Sequence, residues 1–159
     1  MPQSQPEIRA FKPVFTTIGV IYILLATSAL VRGPAMLRDF AVAEALTADP
    51  VLGDFFYFFY QYMAFGGVLQ VLFGRVTRGL RAQTLVACVY TAANILWALR
   101  DLSTSDSRFG NHLYRGDATL LFVVFDLAFA AAYGALALAG LRRLRAAGST
   151  AAPASAAGP

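Results

Sequence analysis

Four apolar runs constrain this chain more than any other feature: Val14–Val31, Phe55–Phe73, Leu80–Leu99 and Ala118–Leu141. Each approaches or exceeds the ~20 residues an α-helix needs to cross a hydrocarbon core ~30 Å thick. Backbone amides find no water in such a core, and a helix is the element that satisfies them within one segment. The chain is 58% hydrophobic and 14% charged, against about a quarter charged in soluble domains. The expected fold class is therefore all-α, an integral membrane four-helix bundle over residues 14–145. Residues 1–13, with three prolines, are expected to be a flexible cytoplasmic arm. Residues 146–159, in Ala, Gly, Ser and Pro, bury too little apolar surface to order themselves and read as a disordered tail. The first run is too long for the apolar core of a cleaved signal and no small-residue cleavage site follows it, so it is expected to be a permanent span.

Charge sets the expected orientation. Arg9, Lys12, Arg75, Arg78, Arg81, Arg142, Arg143 and Arg145 fall at one end of the spans. Arg32, Arg38, Arg100, Arg108 and Arg115 fall at the other, together with most of the carboxylates. Basic residues favour the cytoplasmic side, so both termini are expected there, in the plasma (inner) membrane. This asymmetry accounts for the net charge of +4 without a nucleic-acid partner. Cys88 is the sole cysteine and lies within the third run. It forms no intrachain disulfide and reads as a small buried apolar group.

The segments between runs carry turn signals. Gly33-Pro34 ends the first helix, and residues 35–48 place Met36, Phe40, Ala43 and Leu46 at helical spacing. This stretch is expected to be a short amphipathic helix, lying at the interface or covering the bundle as a lid. Asp49-Pro50 then precedes the aromatic block Phe55–Tyr62, which suits an interfacial belt or the wall of a pocket. Gly66-Gly67 permits close helix approach. Gly74 and Gly79 bracket a basic turn that folds the second and third spans into a hairpin. The loop 103–117 holds the only histidine, His112, read as solvated.

Asp126 stands inside the fourth run, and an ionisable residue at membrane depth marks a functional site by default. With ~1.5 Å of rise per residue, Gln61, Asn94 and Asp126 all sit roughly 8–12 Å below the same boundary. Helical spacing adds Tyr57 to Gln61, Tyr90 and Trp97 to Asn94, and Phe122, Phe129 and Tyr133 to Asp126. Convergence of these faces would enclose an aromatic pocket containing an acid and two amides. A carboxyl group removed from water favours its neutral form, which suits proton donation to a hydrophobic substrate. Aromatic faces also stabilise a resulting cation. The competing reading is a layer of interhelical hydrogen bonds, worth about 0.6–2 kcal/mol each in membranes, with an Asp126–Arg100 ion pair as a variant.

Gly53-Asp54, Gln61, the basic turn Arg75–Arg81 and the run Gln83–Asp101 resemble the EXPERA superfamily of emopamil-binding sterol isomerases and sigma-2-receptor-like proteins. The layout of the chain also resembles that of small membrane meroterpenoid cyclases. The resemblance implies a helical membrane protein holding a sterol- or amine-like ligand in an aromatic cavity, with isomerisation through a carbocation. The chain departs from that pattern at Gln61, where the family usually has glutamate, and in lacking a His or acidic pair in its first span. A looser resemblance, on Gly66–Leu69 and Gly74-Arg75, is to DoxX-type redox accessory proteins.

Phosphate-binding glycine loops, metal-ligating clusters and activated serines have no counterpart in the sequence, and no cofactor is expected. The function expected is a membrane isomerase or cyclase acting on an isoprenoid- or sterol-like substrate. Asp126 would be its acid, Gln61 and Asn94 would orient the substrate, and Tyr57, Tyr90, Trp97, Phe122, Phe129 and Tyr133 would form the wall. The alternative is a non-enzymatic binder of a small hydrophobe or an assembly subunit. The partner in either case is a membrane lipid or lipophilic small molecule, with homo-oligomerisation left open.

Overall fold

The computed structural model describes residues 6–40, 44–104 and 117–150. It is all-helical over these residues. Helix α1 spans Phe11–Arg32 and a 3-10 helix spans Pro34–Phe40. The one-turn α2 follows at Glu44–Thr47, then α3 at Pro50–Val76, α4 at Leu80–Thr104 and α5 at Asp117–Thr150. Helices α1, α3, α4 and α5 are each long and apolar enough to cross a membrane, as the four runs require.

Local chemistry fixes the boundaries. Gly33 ends α1 at φ 67, a left-handed conformation that glycine adopts without a Cβ penalty, and its N–H closes on the Ala29 carbonyl at 2.8 Å. Asp49 caps α3 by accepting from the Val51 N–H at 2.8 Å, with Pro50 at the first helical position, where its missing N–H is no loss. The α3–α4 turn takes a positive φ of 82 at Gly79.

Of the stretch 35–48, the described residues form the 3-10 helix and the one turn of α2, and residues 41–43 lie outside the described residues. Met36 and Leu37 are buried against Ala29 and Phe56, so the 3-10 helix turns its apolar side onto the ends of α1 and α3. Arg38 pairs with Glu44 at 3.0 Å and Arg32 pairs with Asp39. The N-terminal segment packs as well: Ile8 is buried at 5% exposure, and its N–H donates to Gln83 Oε1 at 2.7 Å. At the other terminus α5 continues past residue 145 to Thr150. The expected loop with His112 lies outside the described residues.

The four long helices associate as two close pairs, α1 with α3 and α4 with α5. Small residues create both seams. A Cβ on Gly19 would stand 2.6 Å from the Gly67 carbonyl oxygen, and one on Gly67 would stand 2.6 Å from that of Gly19. Glycine at these facing positions is what lets the backbones touch. In the second pair, a Cβ on Gly140 would overlap the Thr84 side chain, and one on Gly134 would rest 3.6 Å from Thr91. Both threonines bond their own helix, Thr84 to Leu80 and Thr91 to Ala87, which satisfies their hydroxyls without water.

Large rings fill the space between the two pairs. Phe15 of α1 stacks on Phe11 at 4.3 Å between centroids. It also meets Tyr90 of α4 edge-on at 5.1 Å and Tyr133 of α5 at 4.8 Å. Tyr90 and Tyr133 lie 5.2 Å apart. Phe11, Phe15 and Tyr133 are fully buried, and offset or edge contacts of this kind add to their burial. Small residues within each pair and rings between the pairs thus give the bundle its shape.

Candidate functional site

The polar group at the centre of the bundle is not at the depth that spacing suggests. Tyr133 donates a 2.6 Å hydrogen bond to Gln70 Oε1, joining α5 to α3. Both side chains are buried, Tyr133 at 0% and Gln70 at 5% exposure, so each must find its partner inside the protein. A second buried glutamine, Gln83, accepts from Ile8 through Oε1 and donates through Nε2 to the Thr77 carbonyl at 3.1 Å. It ties the N-terminal segment to the α3–α4 turn.

Asp126 lies half-buried on α5, at the rim of the ring-filled interior. Phe129, one turn further along, packs against Tyr22 of α1 at 5.4 Å and against Phe125 at 6.2 Å. Asp126 is within Coulombic reach of Asp101, Arg100 and Tyr22. Among the described residues no ion pair or hydrogen bond holds its carboxyl group. Arg100 instead places its guanidinium 5.1 Å from the centroid of the Trp97 ring, a cation–π geometry. Leu96, Trp97 and Arg100 line an open hollow of about 160 Å³ on the side of α4.

Of the residues expected to converge, Tyr90, Phe129 and Tyr133 do meet in the interior with Tyr22 and Phe15. Phe122 is half-buried on the same helix as Asp126. Asn94 is buried, but its amide nitrogen turns back to the Tyr90 carbonyl at 2.7 Å. Gln61 is exposed on the outside of α3, as are Tyr57 at 42% and Trp97 at 45%. Gln61, Asn94 and Asp126 do not share a direction: Gln61 is exposed, Asn94 buried and Asp126 half-buried. Depth follows from counting residues, whereas facing depends on helix rotation.

Sequence reasoning passed over Gln70, and its spacing carried a usable signal. Phe56, Tyr60, Met63, Gly67, Gln70 and Gly74 recur at alternating intervals of four and three, the stripe of one helix face. Gln61 lies off that stripe. The aromatic residues Phe55, Phe58, Tyr62 and Phe65, all more than half exposed, occupy other faces of α3, as an aromatic belt does.

Over the described residues the fold is that of an all-helical protein of four candidate membrane spans, with Tyr133 and Gln70 bonded between the two helical pairs. No protein-family model, curated protein or solved structure matches the chain.

Proposed function

We propose that this chain is an integral membrane enzyme that acts on a lipophilic, isoprenoid- or sterol-like substrate by proton transfer, as an isomerase or cyclase. Asp126 is the group that exchanges the proton. The observation that carries this reading is that Asp126 has no hydrogen bond or ion pair among the described residues, although it sits within a span. A carboxyl group retained there for structure would be locked to a partner, as Tyr133 and Gln70 are. A half-buried acid at the side of the bundle is also within reach of a substrate arriving from the lipid.

Tyr22, electrostatically coupled to the acid, packs on Phe129, one turn along α5 from it, and such rings offer π-faces that favour a cationic intermediate. Asp101, toward the end of α4 and electrostatically coupled to Asp126, is a second carboxyl group through which the proton passes toward the membrane surface, while Arg100 beside it supplies a fixed positive charge. The resemblance to the EXPERA superfamily supports the substrate class. Segregation of eight basic residues at the end bearing both termini supports cytoplasmic termini, and the membrane proposed is the plasma (inner) membrane.

The second reading is a non-enzymatic binder of the same class of molecule or an assembly subunit, favoured by the exposed apolar side chains of Leu96 and Trp97 on α4. Asp126→Asn separates the two. The protein is reconstituted in vesicles with polyprenyl or sterol lipids in deuterated water, and deuterium entering the lipid is followed by mass spectrometry. An enzyme loses incorporation by about a hundredfold or more while its unfolding transition stays in place. Undiminished incorporation in Asp126→Asn sinks the assignment of the acid, and absence of incorporation in the unmodified protein with retained lipid binding favours the binder.

A further inference from the structure

We propose that the basic end of the bundle is a docking surface for anionic phospholipid headgroups. The proposal is independent of the chemistry at Asp126. Eight basic residues and a single carboxylate, Glu7, fall at this end in the sequence. The fold then gathers them from separate elements onto one face. The Arg78 guanidinium lies 3.8 Å from the Glu7 carboxylate, and Arg143 donates to the Glu7 carbonyl oxygen at 2.8 Å. The α3–α4 turn, the end of α5 and the N-terminal segment therefore meet around Glu7. Gly140 of α5 faces Thr84 of α4, and continuing that antiparallel register by three residues puts Arg143 level with Arg81.

Arg75, Arg78, Arg81, Arg142, Arg143 and Arg145 are all exposed. One half-exposed carboxylate leaves most of this charge uncompensated, and like charges held together favour an anion between them. Guanidinium groups match phosphate oxygens in paired hydrogen bonds. Their position fits a lipid headgroup, because these arginines sit where the candidate spans end, at the level of the polar layer of the bilayer. Helix α5 adds reach. At 34 residues it is about 51 Å long, well beyond a ~30 Å hydrocarbon core, so its basic end stands within the headgroup region.

The test uses the full chain in discs of phosphatidylcholine with and without phosphatidylglycerol, and reads the lipids retained on release into native mass spectrometry. The expected result is preferential retention of phosphatidylglycerol that weakens as salt is raised. The triple variant Arg78→Gln, Arg81→Gln, Arg143→Gln is expected to lose that preference by at least tenfold, since each such charge shifts binding to an anionic surface about fivefold. A control with Arg32→Gln and Arg38→Gln at the opposite end is expected to keep it. The salt titration of the unmodified protein tests the proposal even if the triple variant does not fold. Equal retention of the two lipids, salt-independent retention, or loss in the control equal to that in the triple variant each overturns the proposal.

Discussion

Tyr133 on α5 and Gln70 on α3 are tied by a 2.6 Å hydrogen bond from phenol to amide oxygen, across the ring-filled seam between the two helical pairs. Tyr133→Phe keeps the ring contacts with Phe15 and Tyr90 and removes only the hydroxyl, leaving Gln70 unsatisfied. The expected loss is about 0.6–2 kcal/mol, measured as a shift in the midpoint of detergent-induced unfolding. Adding Gln70→Leu to that variant is expected to recover part of the loss, because an apolar pair leaves no orphaned acceptor. Equal midpoints for Tyr133→Phe and the unmodified protein would show that the bond adds nothing to stability.

Two neighbouring glycines are expected to respond in opposite ways. Gly67→Ala drives a methyl group into the backbone of Gly19 and is expected to destabilise by about 1–3 kcal/mol, the usual range for overpacking. Gly66 has open space around it, and Gly66→Ala is expected to be neutral or to stabilise by up to about 1 kcal/mol through helix propensity. Thermal unfolding of the purified variants decides it. Similar midpoints for the two would dissolve the close α1–α3 seam.

Docking of the N-terminal segment hangs on Gln83. Gln83→Leu leaves the Ile8 N–H and the Thr77 carbonyl without their partner, a loss of about 1–3 kcal/mol for each group that stays buried. Opening of residues 6–10 is then expected to rise roughly tenfold or more, read as faster tryptic cleavage after Arg9. An unchanged cleavage rate would mean that burial of Ile8 alone holds the segment.

Gln61→Leu tests the direction in which the second span faces. The side chain is exposed on α3, so replacing the amide with an apolar group is expected to leave unfolding within about 0.5 kcal/mol of the unmodified protein, the range typical of surface changes. A loss of 2 kcal/mol or more would return Gln61 to the interior.

What the sequence made legible follows from what each signal measures. Hydropathy over a long window reports transfer of a whole helix into lipid, a sum over some twenty residues that tolerates local exceptions, so α1, α3, α4 and α5 were all readable. Charge at span ends was readable for the same reason, and Glu7, Arg78 and Arg143 do meet at one end. The polar interior was not readable from depth alone. Gln61 and Gln70 are nine residues apart, and at about 100° per residue they point to opposite sides of α3. Counting toward the membrane boundary favoured Gln61, whereas Gly67 and Gly74 flank Gln70 on the packed face. The docked N-terminal segment was hidden for another reason. Its order depends on Gln83, 75 residues from Ile8, a pairing that no local composition carries.

The small-residue seams bear on how the chain is divided. Each pair of helices is contiguous in the sequence, α1 with α3 and then α4 with α5, and each closes its own backbone contact through Gly19 and Gly67 or through Gly140 and Thr84. In chain order, all the residues of the first seam therefore precede all those of the second. The two halves meet through rings set edge-on or tilted, Phe15 against Tyr90 and Tyr133, and through the Tyr133–Gln70 bond, which fix how one half sits on the other. The chain thus divides at Thr77–Gly79 into two halves, each of which holds a complete helix-to-helix seam of its own.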